Sequence, residues 1–256
     1  MVDATLDRHA PQVSIPQWRF EPCGDRCVIL VFGTVFSTAA NRLAAATGIR
    51  LRALAARAEL AGVTDVVSAM VTVGVYYSPE FVASLRPLAT PYAAVCEMLA
   101  DALRSAEQQS STGANRIEIP VCYEPEYGPD LPAIAQACGL SCEAVIAAHS
   151  TEWIDVLMVG FAPGHPYIGL LDSALSLPRR SVPRTRVPAG SIGIANCQSV
   201  IYPADLPGGW NLVGRTPLSM FSTSNTPPCL LKGGDQVRFI PIDSDEFEHL
   251  AREQLS

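Results

Sequence analysis

Lysine is almost absent from this sequence. Its 256 residues include a single lysine, Lys232, against seventeen arginines. A Walker A loop needs a lysine followed by serine or threonine after a glycine-rich turn, and here Gly233 follows Lys232. The sequence therefore excludes a P-loop nucleotide site, and one lysine leaves little scope for Schiff-base chemistry.

Long apolar runs are absent as well. No window approaches about eighteen uncharged apolar residues, and the first fifteen residues, which we expect to form a loose tail, carry Asp3, Asp7 and Arg8. We therefore expect neither a membrane span nor a secretory signal, and we expect a cytoplasmic protein. Hydrophobic residues make up 48% of the chain and charged residues 17%, which is typical of an ordered globular protein.

The cysteines lack the spacing of a metal site. In the pairs Cys23/Cys27 and Cys138/Cys142, three residues rather than two separate the cysteines, and no histidine lies close in sequence. Because no secretory signal is expected, we interpret the eight cysteines as reduced thiols rather than as disulfides or metal ligands.

Positive charge is scarce overall but is concentrated in one segment. The net charge is −7, which makes nucleic acid an unexpected partner. Residues 156–234 hold five arginines and one lysine against two acids, a balance of +4 that leaves −11 for the rest. We interpret this basic segment as the site of an anionic ligand. The alternative is a set of solvated arginines on loops.

The length and the order of the elements predict two domains and an α+β fold. Residues 16–110 are predicted to form a small two-layer domain, followed by a linker at 108–113. Its predicted elements are two strands in 18–33, a helix over 37–62 that ends at a glycine, two strands in 63–77 and a helix over 91–107.

Residues 115–256 change to short β-segments separated by glycine and proline turns. Such a pattern predicts an antiparallel barrel or sandwich. The predicted elements are strands at 117–123, 153–162, 190–196, 198–204, 210–216 and 235–242, helices at about 130–138 and 142–149, and a C-terminal helix with Asp243 and Glu246 in capping-box spacing.

Two glycine-rich stretches lie in the basic segment. In PGGWNLVGRTP (207–217), the paired glycines permit close approach of a ligand or a partner backbone, the tryptophan offers an apolar wall, and the arginine is a two-pronged donor for carboxylate or phosphate. In PRRSVPRTRVPAGSIG (178–193), prolines stiffen a loop that carries four arginines, and Gly190 and Ser191 follow with free backbone donors. We interpret both as parts of one anion or substrate site; the alternative is that they only turn barrel corners.

These stretches and GFAPGHPYIGLLD (160–172) resemble the signature blocks of the family that contains the B subunit of 5-oxoprolinase, the sporulation kinase inhibitor KipI and allophanate hydrolase subunit 1. The resemblance covers nearly all of the chain, because CGDRCVILVFG and IPVCYEPEYGPDL also fall in the family's order. It implies an α+β domain followed by a cyclophilin-like β-barrel, and a KipA-like C subunit as a partner. The chain departs from the family loop where His165 replaces an aromatic residue and Leu170 a glycine.

The resemblance and the residue chemistry together suggest a set of site residues. His165 is either a packing residue or, in a basic pocket, a proton carrier. The catalytic candidates are Arg184, Arg186, Arg215 and His165, and the ligand-binding candidates are Gly164, Pro166, Tyr167, Pro188, Gly190, Ser191, Gln198, Tyr202, Gly208, Gly209, Trp210 and Thr216.

The resemblance implies three functions. The first is the B subunit of an ATP-dependent 5-oxoprolinase, in which a KipA-like C subunit and a LamB/YcsF-type A subunit complete the enzyme, ATP with magnesium acts in the complex, and the chain alone is inactive. The arginines would then stabilise carboxylate or phosphoryl charge. The second is a KipI-like binding module that inhibits a histidine kinase. The third is a subunit of a biotin-dependent carboxyltransferase or amidohydrolase for urea or allophanate, the only alternative that needs biotin.

Overall fold

The computed structural model describes residues 18–87, 89–104 and 114–254. The predicted tail at 1–15 and the predicted linker at 108–113 lie outside the described residues. The domain bounds 16–110 and 115–256 therefore stay predictions, whereas the α+β class with a β-barrel is confirmed.

A four-stranded antiparallel sheet begins the fold, in the order β1-β2-β4-β3. Both predicted strand pairs are confirmed, as β1 (Arg19–Pro22), β2 (Cys27–Val31), β3 (Val63–Ala69) and β4 (Thr72–Tyr77). The helices of this part are α1 (Thr38–Ala56), α2 (Pro79–Leu85) and α3 (Pro91–Arg104). The sequence analysis missed α2, a short helix that the Ser78 side chain caps.

Helix α1 begins where predicted and ends early. The Ser37 hydroxyl accepts a hydrogen bond from the Ala40 N–H, as an N-cap should. The predicted stop at Gly62 is wrong, because Ala58 already takes a φ of 59°, outside the helical region. The buried residues that join α1 and α3 to the sheet include Leu51, Leu54, Leu99, Val28, Leu30, Val73 and Val75.

A closed barrel follows, in the strand order β10-β7-β6-β13-β5-β12-β9. Its strands are β5 (Arg116–Cys122), β6 (Ile154–Val159), β7 (Pro166–Gly169), β9 (Ser191–Ala195), β10 (Gln198–Ile201), β12 (Asn211–Arg215) and β13 (Gln236–Ile242). A two-stranded ribbon, β8 (Arg184–Val187) with β11 (Leu206–Gly208), lies outside the barrel order. The helices are α4 (Leu131–Cys138), α5 (Cys142–Ser150) and α6 (Ser244–Glu253), with a 3-10 turn at Ser173–Leu175.

The barrel departs from the prediction in three respects. First, β13 and β5 pair in parallel, although the other barrel pairs are antiparallel. Second, β7, β8 and β11 were not predicted, because they lie in proline- and glycine-rich stretches that were interpreted as loops. Third, the strand predicted to reach residue 162 ends at Val159, because the Gly160 N–H donates to the His165 carbonyl and closes a turn.

A buried asparagine connects the first part of the fold, with the β1–β4 sheet, to the barrel. Nδ2 of Asn41 on α1 donates to the Met70 carbonyl at 2.6 Å and to the Leu157 carbonyl at 3.0 Å, and Leu157 belongs to the barrel strand β6. A half-exposed ion pair, Arg42 to Asp155, lies beside it. Within the described residues, no single helix is long and apolar enough to cross a membrane, although the bent pair α4 and α5 passes that test by length and composition.

A polar triad lies in the barrel core. His149 is fully buried, its ring nitrogens lie 2.7 Å from the Tyr123 hydroxyl and 3.2 Å from the Ser199 hydroxyl, and its ring stacks on Phe239. Burial lowers the pKa of His149 to about 3 and raises that of Tyr123. The triad is therefore neutral at pH 7, and it ties α5 to two sides of the barrel.

Candidate functional site

The arginine-rich loop before β8 is held by an aspartate from a distant part of the chain. Asp130 receives two hydrogen bonds from Arg184, at 2.8 and 2.9 Å, and one from Arg180 at 3.2 Å. The Leu212 N–H donates to the same carboxylate at 2.7 Å. We call these four residues the Asp130 hub. Arg184, a catalytic candidate, is therefore already bound to an acid.

Asp130 was missed by the sequence analysis. It precedes α4, and its side chain makes no capping hydrogen bond there, because it bonds the arginines instead. Burial alone would raise the pKa of Asp130, but the hydrogen bonds from Arg184 and the Leu212 N–H bring it below the usual range. Asp130 is thus charged at neutral pH and cancels part of the basic segment.

The other two arginine candidates are held around Ala189, one of them by a second acid. Asp205 accepts from Arg186 Nε at 2.8 Å and from the Ala189 N–H at 2.9 Å, while Arg215 Nε donates to the Ala189 carbonyl at 2.7 Å. We call this group the Asp205 turn. The Ala189 hydrogen bond and the Arg186 side chain lower the pKa of Asp205. The structure therefore brings Arg186 and Arg215 together and places Arg184 elsewhere.

The backbone donors expected at Gly190 and Ser191 are not free. The Gly190 N–H donates to the Tyr202 carbonyl at 2.7 Å, and the Ser191 N–H to the Pro188 carbonyl at 3.2 Å. The Gly190 carbonyl accepts from the Thr216 N–H at 3.0 Å. With a φ of 79° and the Thr216 carbonyl 2.3 Å from where a Cβ would lie, position 190 requires glycine for this corner. That part of the prediction is wrong, since these groups join β9, β10 and β12.

The adjacent glycines of the PGGW stretch differ from each other. A Cβ on Gly208 would lie 1.9 Å from the Tyr202 hydroxyl oxygen, so the fold leaves no space there. A Cβ on Gly209 would make ordinary contact, 3.6 Å from Pro183 Cγ. The close approach at Gly208 is therefore to this chain's own tyrosine, whereas position 209 has room for a Cβ beside Pro183 and the Arg180 carbonyl.

The remaining candidates meet in a cluster of rings. His165 lies 5.4 Å from Phe161, 5.2 Å from Tyr167 and 5.3 Å from Tyr202, measured between ring centroids. The Tyr167 ring continues the cluster to Trp210 at 6.2 Å. We call these five residues the aromatic face. Phe161 is 67% exposed and Tyr167 is partly exposed, whereas His165, Tyr202 and Trp210 are buried.

Tight packing against neighbouring parts of the barrel holds the loop that carries His165 in place. Gly164 has a φ of 76°, and a Cβ there would lie 2.7 Å from the Met220 carbonyl oxygen. Pro166 is buried at the start of β7, and Gln198 pairs with Gly169 at the other end of that strand. These three candidates therefore position the aromatic face and do not themselves face an open site.

His165 is buried and neutral at pH 7. Burial lowers its pKa to about 4; its own backbone carbonyl opposes that shift, and the Arg179 charge adds to it. The side chain is 2% exposed, and its Nδ1 has no hydrogen-bond partner among the described residues. A buried nitrogen without a partner costs free energy that an incoming polar group can recover. His165 is thus a buried, neutral histidine with an unpartnered Nδ1, and not a carrier of charge at pH 7.

Comparisons with known proteins place the chain in a family. Residues 18–231 match the family model "Carboxyltransferase domain, subdomain C and D". The chain is 33% identical over 240 residues to the B subunit of 5-oxoprolinase from Bacillus subtilis (strain 168), across 93% of this chain and 98% of that protein.

Two solved structures extend the comparison. The crystal structure of TTHA0988 is 35% identical, with a TM-score of 0.70, and the match covers 86% of this chain but only 40% of that longer chain. The urea carboxylase of Kluyveromyces lactis has a TM-score of 0.65 at 19% identity, over 92% of this chain and 23% of that chain, which shows a shared fold alone.

Proposed function

This chain belongs to the carboxyltransferase domain, subdomain C and D, family, and from that membership we propose that it is the B subunit of an ATP-dependent 5-oxoprolinase. Such an enzyme opens the lactam of 5-oxoproline to L-glutamate. The observation that carries the proposal is the match to a 5-oxoprolinase B subunit, which spans 98% of that relative. The match covers 93% of this chain, including the β1–β4 sheet and the barrel, so the assignment does not depend on a single motif.

The chemistry of the chain suits a partial site. The aromatic face holds a neutral histidine, and three arginines of the basic segment are bound to acids of this chain: Arg180 and Arg184 to Asp130, and Arg186 to Asp205. The sequence contains no Walker A loop, and within the described residues no three His, Cys, Asp or Glu side chains form a metal cluster. We propose that ATP and magnesium act in the assembled complex.

We infer that the missing parts come from partner subunits. The match to TTHA0988 leaves 60% of that chain uncovered, so a protein that contains this fold carries further sequence. A separate C subunit of the KipA type would supply the equivalent part here, and a LamB/YcsF-type A subunit would supply the hydrolase. The exposed Phe161 beside the buried His165 is where we expect the C subunit to cover the site.

Glutamate formation tests this function. The chain is co-expressed with its KipA-like and LamB/YcsF-type partners, and glutamate produced from 5-oxoproline and ATP is measured for the full mixture and for mixtures that each lack one subunit. We expect product from the full mixture alone. Turnover by this chain by itself, or no product from the full mixture, would contradict the proposal.

The shared fold with urea carboxylase favours one second candidate, a subunit of a biotin-dependent carboxyltransferase for a urea-like substrate. The same mixtures separate the two candidates. Carboxylation of urea that requires a biotinylated partner, with no glutamate from 5-oxoproline, would favour the second.

A further inference from the structure

One arginine of the basic segment differs from the other four. Arg180 and Arg184 donate to Asp130, Arg186 donates to Asp205, and Arg215 donates to the Ala189 carbonyl. Arg179 has no ion pair among the described residues, and it is exposed. Its guanidinium carbon lies 4.6 Å from the centroid of the Trp210 ring.

Arg179 lies against the aromatic face. Its charge contributes to lowering the pKa of His165, and it lowers the pKa of Tyr202 in opposition to the larger effect of burial. Stacking on Trp210 holds the planar guanidinium in place while leaving its N–H donors open. A positioned cation with unused donors therefore borders the histidine whose Nδ1 has no partner.

The groups around Arg179 define the class of ligand. An arginine fork binds a carboxylate through two parallel hydrogen bonds. The partly exposed ring of Tyr167 offers apolar surface to a small ring, and a neutral imidazole can exchange a hydrogen bond with an amide. A small cyclic amide that bears one carboxylate satisfies all three groups at once.

We propose that Arg179, which lies over the buried Trp210, binds the carboxylate of 5-oxoproline, with the lactam ring against Tyr167 and the amide towards His165. The identity of the ligand rests on the proposed function. Arg179 is then the residue that distinguishes 5-oxoproline from lactams without a carboxylate, whereas the other four arginines hold the loop and the turn that surround the site.

The test compares two lactams on the assembled complex of this chain with its C subunit, without ATP. Ligand-observed NMR measures the affinity of 5-oxoproline and of 2-pyrrolidinone, which has the same ring and no carboxylate. For Arg179→Gln we expect at least a tenfold loss of affinity for 5-oxoproline and no change for 2-pyrrolidinone. Guanidinium ion added to the variant should restore part of the lost affinity.

Arg116→Gln is the matched control. Arg116 also lies over a tryptophan, 5.2 Å from the Trp153 ring, and its Nε donates to Gln236 on another part of the barrel. The same substitution there removes a stacked cation from a strand that carries none of the aromatic-face residues. We expect both ligands to bind the Arg116→Gln complex as they bind the unmodified one.

Several results would overturn the inference. They are unchanged 5-oxoproline affinity in Arg179→Gln, equal loss for both lactams, no saturable 5-oxoproline binding by the unmodified complex, and failure of Arg179→Gln to assemble, which would assign Arg179 to the subunit interface. Selective binding that depends on Arg179, without glutamate formation, would support this site and contradict the proposed function. Glutamate formation with an unchanged KM for 5-oxoproline in Arg179→Gln would support the proposed function and contradict this site.

Discussion

The Asp130 hub and the aromatic face meet at two neighbouring residues, Arg179 and Arg180, that have opposite surroundings. Arg180 donates to a buried carboxylate, which also accepts from Arg184 and from a backbone N–H. Arg179 lies on Trp210, beside a histidine nitrogen that has no partner among the described residues. In the hub the polar groups bind one another, whereas the face holds a histidine nitrogen and a guanidinium that have no hydrogen-bond partner among the described residues. This difference in hydrogen bonding, and not the number of arginines, is the reason for proposing a ligand site at the face.

Removing the hub's acid should have the largest effect on stability. Asp130→Ala leaves Arg184 and Arg180 without their carboxylate and the Leu212 N–H without an acceptor. We expect a loss of about 3 kcal/mol in the free energy of unfolding, measured by urea denaturation. A double-mutant cycle with Arg184→Met should give a coupling energy of at least about 1 kcal/mol. Additive losses would show that the pair does not stabilise the fold.

The paired glycines offer the next contrast. Gly208→Ala places a methyl group against the buried Tyr202 ring, whereas Gly209→Ala meets only ordinary contacts. We expect Gly208→Ala to cost about 2 kcal/mol and Gly209→Ala less than about 0.5 kcal/mol, measured by thermal unfolding. Loss of activity in a folded Gly209→Val complex would support contact with a ligand or partner there. Equal destabilisation by both alanine variants would contradict the distinction.

Protonation of His165 should weaken the fold in mild acid. Its pKa in the folded state, about 4, lies below the ordinary value near 6.5, so the unfolded chain binds protons more readily between those values. The free energy of unfolding is therefore highest above about pH 6.5, where His165 is neutral in both the folded and the unfolded chain, and it falls as the pH approaches 4. Between pH 7 and pH 5.5, we expect the free energy of unfolding of His165→Phe to fall by about 1 kcal/mol less than that of the unmodified chain. A ring titration near pH 6.5 by NMR would contradict the burial.

The smallest effect is expected at the Asp205 turn. The Arg186 side chain is 78% exposed, and exposed ion pairs contribute at most about 1 kcal/mol. Arg186→Lys should therefore change the free energy of unfolding by less than about 1 kcal/mol. It should change kcat/KM by less than about twofold to threefold. A tenfold loss of kcat/KM in the assembled complex would instead restore the catalytic role that the sequence analysis gave to Arg186.

Much of the fold was predictable because its signals are local. The strands of the β1–β4 sheet, the Asp243 cap of α6 and the glycine turns of the barrel follow from short patterns. The ribbon of β8 and β11 was not predictable, because its short strands lie in proline- and glycine-rich stretches whose local pattern is that of loops. The parallel pairing of β13 with β5 joins segments about 120 residues apart, and no local pattern specifies it.

The candidate site was predictable in part. His165, Tyr167, Tyr202 and Trp210 were all candidates from the resemblance and residue chemistry, and the structure brings them into one cluster. No local pattern shows that Asp130, some 50 residues before the arginine loop, binds Arg184. The catalytic candidates were therefore Arg184, Arg186 and Arg215, and Arg179 was not among them.

Hydrogen exchange on the assembled complex tests the central claim most directly. Peptides from the aromatic face, 160–167 and 207–211, are compared with peptides from the hub, 128–132 and 182–187, before and after the C subunit and 5-oxoproline are added. We predict slower exchange in the face and unchanged exchange in the hub, because the hub's donors and acceptors are already paired. Protection confined to the hub, or to the β1–β4 sheet, would contradict the account.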